Sequence, residues 1–102
     1  MNLEIQNTII NFLSPYASKI AVFGSYARGE ETSVSDIDLM IEPKSHITLF
    51  EFAELREDLA EKLKMKVDLL TFNTVKNPLR KKYIEKDLTI IFNEERDRKS
   101  VV

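Results

Sequence analysis

Along Asp36-Ile37-Asp38-Leu39-Met40-Ile41 the chain alternates acidic with apolar side chains. Successive side chains of a strand point to opposite faces, so Ile37, Leu39 and Ile41 share one face and Asp36 and Asp38 the other. The run therefore predicts a strand whose apolar face enters a core. Its opposite face carries two carboxylates roughly 7 Å apart along the strand.

The flanking sequence supplies elements to pack against it. Leu3, Ile5, Ile9, Ile10, Phe12 and Leu13 recur close to helical spacing, which predicts an amphipathic helix over 2–13, ended at Ser14-Pro15. Lys19-Ile20-Ala21-Val22-Phe23, closed by Gly24, reads as a buried strand, and the polar stretch 25–35 follows it. Apolar residues from Leu49 to Leu63 give a second amphipathic helix within 48–64, with Thr48 as N-cap and Glu51 placed for a capping box. Lys66 to Thr71 is a third strand, Pro78 to Lys86 a short helix, and Leu88 to Phe92 a fourth strand. The expected fold class is α/β in the broad sense (α+β): a small mixed sheet of about four strands with helices packed on it. Residues 1–92 form the expected domain, and 93–102, with charges at Glu94, Glu95, Arg96, Asp97, Arg98 and Lys99, the expected charged tail. The pattern leaves strand order open.

Composition removes several functions. The 102 residues fit one small domain, whose limited burial leaves room for a homo- or hetero-oligomer. With no cysteine there are no disulfides, thiolate metal sites or cysteine nucleophile. No apolar run approaches the ~20 residues of a membrane span, and Met1-Asn2-Leu3-Glu4 lacks a signal-peptide start, so a cytoplasmic location and no membrane partner are expected. A net charge of −2 argues against tight nucleic-acid binding, though not against a nucleotide substrate held through Mg²⁺ by acidic ligands.

The chemistry gathers around three acidic residues on predicted strands: Asp36, Asp38 and Asp68. A carboxylate in an apolar strand is costly unless paired or metal-bound. Asp36 and Asp38 repel each other, and a hard divalent cation such as Mg²⁺ relieves that repulsion. If the Val67-Asp68-Leu69 strand pairs alongside, Asp68 completes a cluster able to clamp both oxygens of an in-line phosphoryl displacement. Upstream, Phe23-Gly24-Ser25-Tyr26-Ala27-Arg28-Gly29 directly follows a strand. Gly24 permits close backbone approach, and a helix starting at Ser25 would aim N–H groups at a phosphate. The Ser25 hydroxyl can donate to a phosphate oxygen, and Arg28 offers a fork of donors.

Gly24-Ser25, ten intervening residues and then Asp36-x-Asp38 match the GSx10DxD signature of the DNA polymerase β-like nucleotidyltransferases. The fuller stretch through Leu39 resembles the minimal nucleotidyltransferase (MNT) domain, many members of which are antitoxins paired with HEPN-domain ribonuclease toxins. The resemblance covers roughly Lys19 to Thr71. It implies the polymerase β-like fold, ATP as the nucleoside triphosphate and two Mg²⁺ ions. Asp36 and Asp38 would be metal ligands, and Asp68 the third carboxylate, activating the acceptor hydroxyl and joining a metal. Gly24 and Ser25 would hold the β- and γ-phosphates, with Arg28 contacting phosphate or bracing the loop. The implied reaction is AMP transfer to a hydroxyl, a tyrosine of a cognate HEPN toxin. The alternatives are an antitoxin that binds and occludes its toxin without catalysis, or transfer to a small-molecule acceptor.

Simpler readings stand beside these. Gly24-Ser25 alone makes an ordinary turn, and a lone Asp36 or Asp38 would sit on a solvated sheet face. Asp68 could pair with Lys66, and Arg28 could belong to a salt bridge. Tyr26 could cover the nucleotide or pack against a helix. His46 reads as a solvated loop residue, Phe50, Phe52, Phe72 and Phe92 as core or interface, and Arg80-Lys81-Lys82 as a solvated helix face.

Overall fold

The computed structural model describes residues 2–29, 36–72 and 76–94. Helix α1 spans Leu3–Leu13, capped by Asn2, whose side-chain oxygen accepts from the Glu4 N–H at 2.7 Å. Strand β1 is Ala17–Phe23, the single-turn helix α2 Ser25–Arg28, and strand β2 Ile37–Pro43. Helix α3 covers Leu49–Leu63 and opens on the predicted capping box: the Glu51 N–H donates to the Thr48 hydroxyl at 3.1 Å, and the Thr48 N–H to the Glu51 carboxylate. Strand β3 is Val67–Thr71, helix α4 Pro78–Asp87 and strand β4 Thr89–Asn93. No described helix is long and apolar enough to cross a membrane.

The strands lie in the order β3-β2-β1-β4. β1 is antiparallel to both β2 and β4, whereas β2 and β3 run parallel, joined by α3 as a crossover. The sheet is mixed and four-stranded, as the sequence predicts. Two boundaries differ from the expected ones by two residues, and several others by one. β1 begins at Ala17 and β2 runs on to Pro43, because Ala17 pairs with Pro43 across a bulge before Lys19. Hydrophobicity alone hides this pairing, since Lys19 and Glu42 bear charges at the same end and face each other as an ion pair at 3.5 Å.

Ile37, Leu39 and Ile41 are fully buried beneath Ile9 and Leu13 of α1 and Leu55 and Leu59 of α3, so the apolar face of β2 is the core face. The opposite face is covered in part by α4, which buries Ile84 near Met40. The remainder of that face, toward the C-terminal ends of β1 and the start of β2 and β3, is left open and carries the carboxylates. β4 takes in Asn93, the first residue of the expected tail, and 95–102 lie outside the described residues, as does most of the 25–35 stretch beyond Gly29.

Candidate active site

The register of the sheet builds the site. Phe23, the last residue of β1, pairs with Asp38, so the chain leaving β1 at Gly24-Ser25 passes directly over the Asp38 side chain. On the other side of β2, Asp38 pairs in parallel register with Asp68, placing the two carboxylates on neighbouring strands about 4.8 Å apart and on one face. Both line a cleft of about 420 Å³ together with Gly24, Ser25 and Arg28. Asp36 stands one residue before β2, next to the tether that the Ile37 N–H makes with the Lys66 carbonyl at 3.0 Å. It opens onto a second cavity of about 500 Å³, which it shares with Asp68, Arg56 and Lys66. Asp68 thus stands between two openings.

Gly24 adopts φ 75° and ψ −153°, a region open essentially only to glycine. A Cβ there would collide with the Asp38 carboxylate. The glycine therefore does two things: it turns the chain into α2, and it lets a carboxylate lie against bare backbone. The one-turn α2 is too short for a substantial helix dipole, so an anion held at this point would be met by local N–H groups and the Ser25 hydroxyl.

Burial and the neighbouring charges of Asp68 and Asp36 push the Asp38 carboxyl above the usual carboxylate range, and the Arg28 guanidinium works in the opposite direction. A carboxylate held among like charges is the electrostatic setting that a divalent cation stabilises, and the all-oxygen donor set suits Mg²⁺. Fit in chemistry exceeds fit in arrangement. Among the described residues no three His, Cys, Asp or Glu side chains already stand as a metal-holding group. Asp38 and Asp68 are adjacent, whereas Asp36 has the Lys66 ammonium 4.0 Å from its carboxylate. The salt-bridge alternative for Lys66 thus falls on Asp36 rather than Asp68.

Arg28 donates to the Asp87 carboxylate at the end of α4 at 2.9 Å, so this arginine braces α2 against α4 while still lining the cleft. Tyr26 is buried, its hydroxyl donating to the Met65 sulfur at 3.7 Å, and belongs to the core rather than covering a ligand. His46 is exposed. Arg80, read from the sequence as part of a solvated face, instead lines the cleft with Tyr83, Ile84 and Asp87. The spacing 80, 83, 84, 87 is one face of a helix, a signal present in the sequence but obscured by the neighbouring lysines.

An open sheet end with paired carboxylates, overlaid by a glycine-serine turn, is an arrangement suited to phosphoryl transfer, the chemistry of the nucleotidyltransferase class. The family model described as a nucleotidyltransferase domain matches residues 3–96, and the chain belongs to that family, with the minimal nucleotidyltransferase form of its fold. Among its relatives, a Methanocaldococcus jannaschii protein provisionally named a protein adenylyltransferase is 50% identical over 72 residues, 71% of this chain and 74% of that protein. A crystal structure of a toxin–antitoxin with AMP-PNP superposes with a TM-score of 0.76 at 26% identity, covering 90% of this chain and 76% of the other. The fold is also shared, at 24% identity and a TM-score of 0.72, with a structure of a tri-AMPylated Shewanella oneidensis HEPN toxin in complex with its MNT antitoxin, over 97% of this chain and 78% of that one. The chain is accordingly a nucleotidyltransferase.

Proposed function

We propose that this nucleotidyltransferase is an antitoxin that transfers AMP from Mg²⁺-bound ATP to a tyrosine hydroxyl of a cognate HEPN ribonuclease toxin in the cytoplasm. The observation that carries the reading is the register that sets Asp38 beside Asp68 directly under Gly24. The names of the similar proteins support the protein acceptor and the toxin–antitoxin setting. The catalytic unit would run through the end of β4 at Asn93.

Asp36, Asp38 and Asp68 would hold the metal, two ions in the full site. Bound Mg²⁺ supplies charge neutralisation for the triphosphate and for the oxygens that attack and leave. The chain's own residues do the rest. The backbone at Gly24 and the Ser25 hydroxyl hold the β- and γ-phosphates in the cleft, while Arg28 braces the turn. Asp68 takes the proton of the acceptor hydroxyl. The oxygen then forms a bond to the α-phosphorus as the bond to the pyrophosphate oxygen breaks. In-line displacement places acceptor and pyrophosphate on opposite sides of that phosphorus. The two openings flanking Asp68 support such an arrangement, with the nucleotide on the Gly24 side and the acceptor on the Lys66 side. Catalysis is then largely positioning and charge stabilisation.

The test is incubation with α-labelled ATP, Mg²⁺ and the product of the adjacent gene. Label is expected on that partner and is expected to disappear with Asp38→Asn or Asp68→Asn. A doubly substituted chain, Asp36→Ala with Asp38→Ala, that still neutralised the toxin at equal expression would establish occlusion in place of catalysis. Label reaching only a small-molecule acceptor would overturn the protein target.

A further inference from the structure

We infer that Arg80 and Tyr83 complete the nucleotide subsite from α4, Arg80 binding the triphosphate and Tyr83 stacking on the base; the inference rests on the transferase reading above. Helix α4 is an unusual helix for so small a domain. Of its ten residues only Ile84 is buried. The face it turns to the cleft reads Arg80, Tyr83, Ile84, Asp87. Ile84 anchors the helix over Met40, and Asp87 is taken by Arg28. Arg80 and Tyr83 remain, on the same face, with no packing task.

Each of the two has an unused capacity. Arg80 forms no ion pair among the described residues, although Asp38, Asp68 and Asp87 line the same cleft. Arg28, the other guanidinium there, is already committed to Asp87. A triphosphate entering over Gly24-Ser25 would bring the planar oxyanion groups that a guanidinium fork matches. Tyr83 is 67% exposed and makes no ring–ring contact among the described residues, so its apolar ring lies bare at the mouth of the cleft. A nucleobase covers such a ring at little cost in order, and stacking of this kind tolerates different bases. The cleft, at about 420 Å³, is within the size of sites that enclose a ligand of this class. Asn77 fixes the start of the helix by accepting from the Leu79 and Arg80 N–H groups, which holds Arg80 at a set distance from the sheet.

Binding of Mg²⁺–ATP and Mg²⁺–tripolyphosphate, followed by calorimetry on the full chain, separates the two roles. Arg80→Ala is expected to weaken both ligands about tenfold or more, as for loss of a charge-assisted contact. Tyr83→Ala is expected to weaken Mg²⁺–ATP about fivefold or more and to leave tripolyphosphate unchanged, with Tyr83→Phe restoring ATP binding. Lys82→Ala, which removes the same charge from the same helix away from the cleft lining, is expected to bind both like the wild type. Arg80→Ala binding both ligands within twofold of wild type would overturn the phosphate role. Tyr83→Ala weakening both ligands equally would overturn the base role, since it would report a displaced helix rather than a lost stack. A wild-type chain that binds neither ligand and transfers no label overturns the transferase reading itself. Unchanged variants in an active wild type overturn only the roles assigned to α4.

Discussion

Substitution of alanine at Gly24 and at Gly29 separates backbone strain from damage to the site, because the two glycines share a positive φ and differ in what surrounds them. Gly24 has φ 75° and ψ −153°, and Gly29 φ 72° and ψ 22°. At Gly29 an added Cβ meets nothing within 4 Å, so the cost is that of a left-handed alanine, about 1–2 kcal/mol. At Gly24 the backbone lies in the glycine-only region, costing about 1–3 kcal/mol. The new methyl also collides with the Asp38 carboxylate. That carboxylate ends a short side chain and can swing aside, so the collision is relieved mainly by displacing Asp38 rather than by unfolding. A group displaced by about 1 Å at a transfer site costs on the order of 100-fold in rate. Denaturant unfolding should therefore show both variants folded, Gly24→Ala weaker by about 1–3 kcal/mol and lower in Tm by roughly 4–24 °C. Label transfer should fall about 100-fold in Gly24→Ala and stay within about threefold of wild type in Gly29→Ala. Equal activity in the two variants would refute the view that Gly24 is kept bare for Asp38.

Asp38→Asn is expected to abolish transfer and yet stabilise the fold at neutral pH in EDTA. Because the Asp38 carboxyl sits above its ordinary range in the folded chain, it binds its proton more tightly folded than unfolded, and wild-type stability falls as pH rises through the folded value. Thermal melts should show the advantage of Asn shrinking as pH drops toward the ordinary carboxylate range, and Mg²⁺ should raise the Tm of the wild type more than that of the variant; an Asn variant less stable than wild type at pH 7 in EDTA would sink the electrostatic account. For the Arg28–Asp87 pair, whose side chains are 34% and 19% exposed, a double-mutant cycle with Arg28→Met and Asp87→Asn should give a coupling within about 1 kcal/mol that weakens in high salt. A coupling several times larger would show that α4 is held chiefly through this contact.

What the sequence discloses about this molecule follows from how local each cause is. The face of Asp38 is set by its immediate neighbours: Ile37 and Leu39 must enter the core, so the residue between them must leave it. The cap of α3 is equally local, since Thr48 and Glu51 meet within one turn. The pairing of Asp38 with Asp68 is different, because it requires β2 and β3 to be parallel neighbours in one particular register, and a slip of one residue would turn Asp68 to the other face. The crossover through α3 makes that neighbourhood available, but only the folded sheet fixes the register. Least legible is α4. Its pattern carries almost no apolar stripe, so the Arg80-Lys81-Lys82 run reads as a solvated face and nothing singles out Tyr83. The position of Arg80 and Tyr83 over the carboxylates arises from β4 joining the far side of β1, which draws the preceding helix back across the open face. Polar residues that face a cleft and those that face water look alike in sequence, and only topology tells them apart. The same topology explains why Asp38 can be both a liability to the fold and the proposed centre of its chemistry. The cover that raises its proton affinity comes from the Gly24 turn and the sheet around it, and the like charges come from Asp68 and Asp36. Removing the like charges would relax the fold and, by the same change, dismantle the setting proposed for holding a cation and a triphosphate.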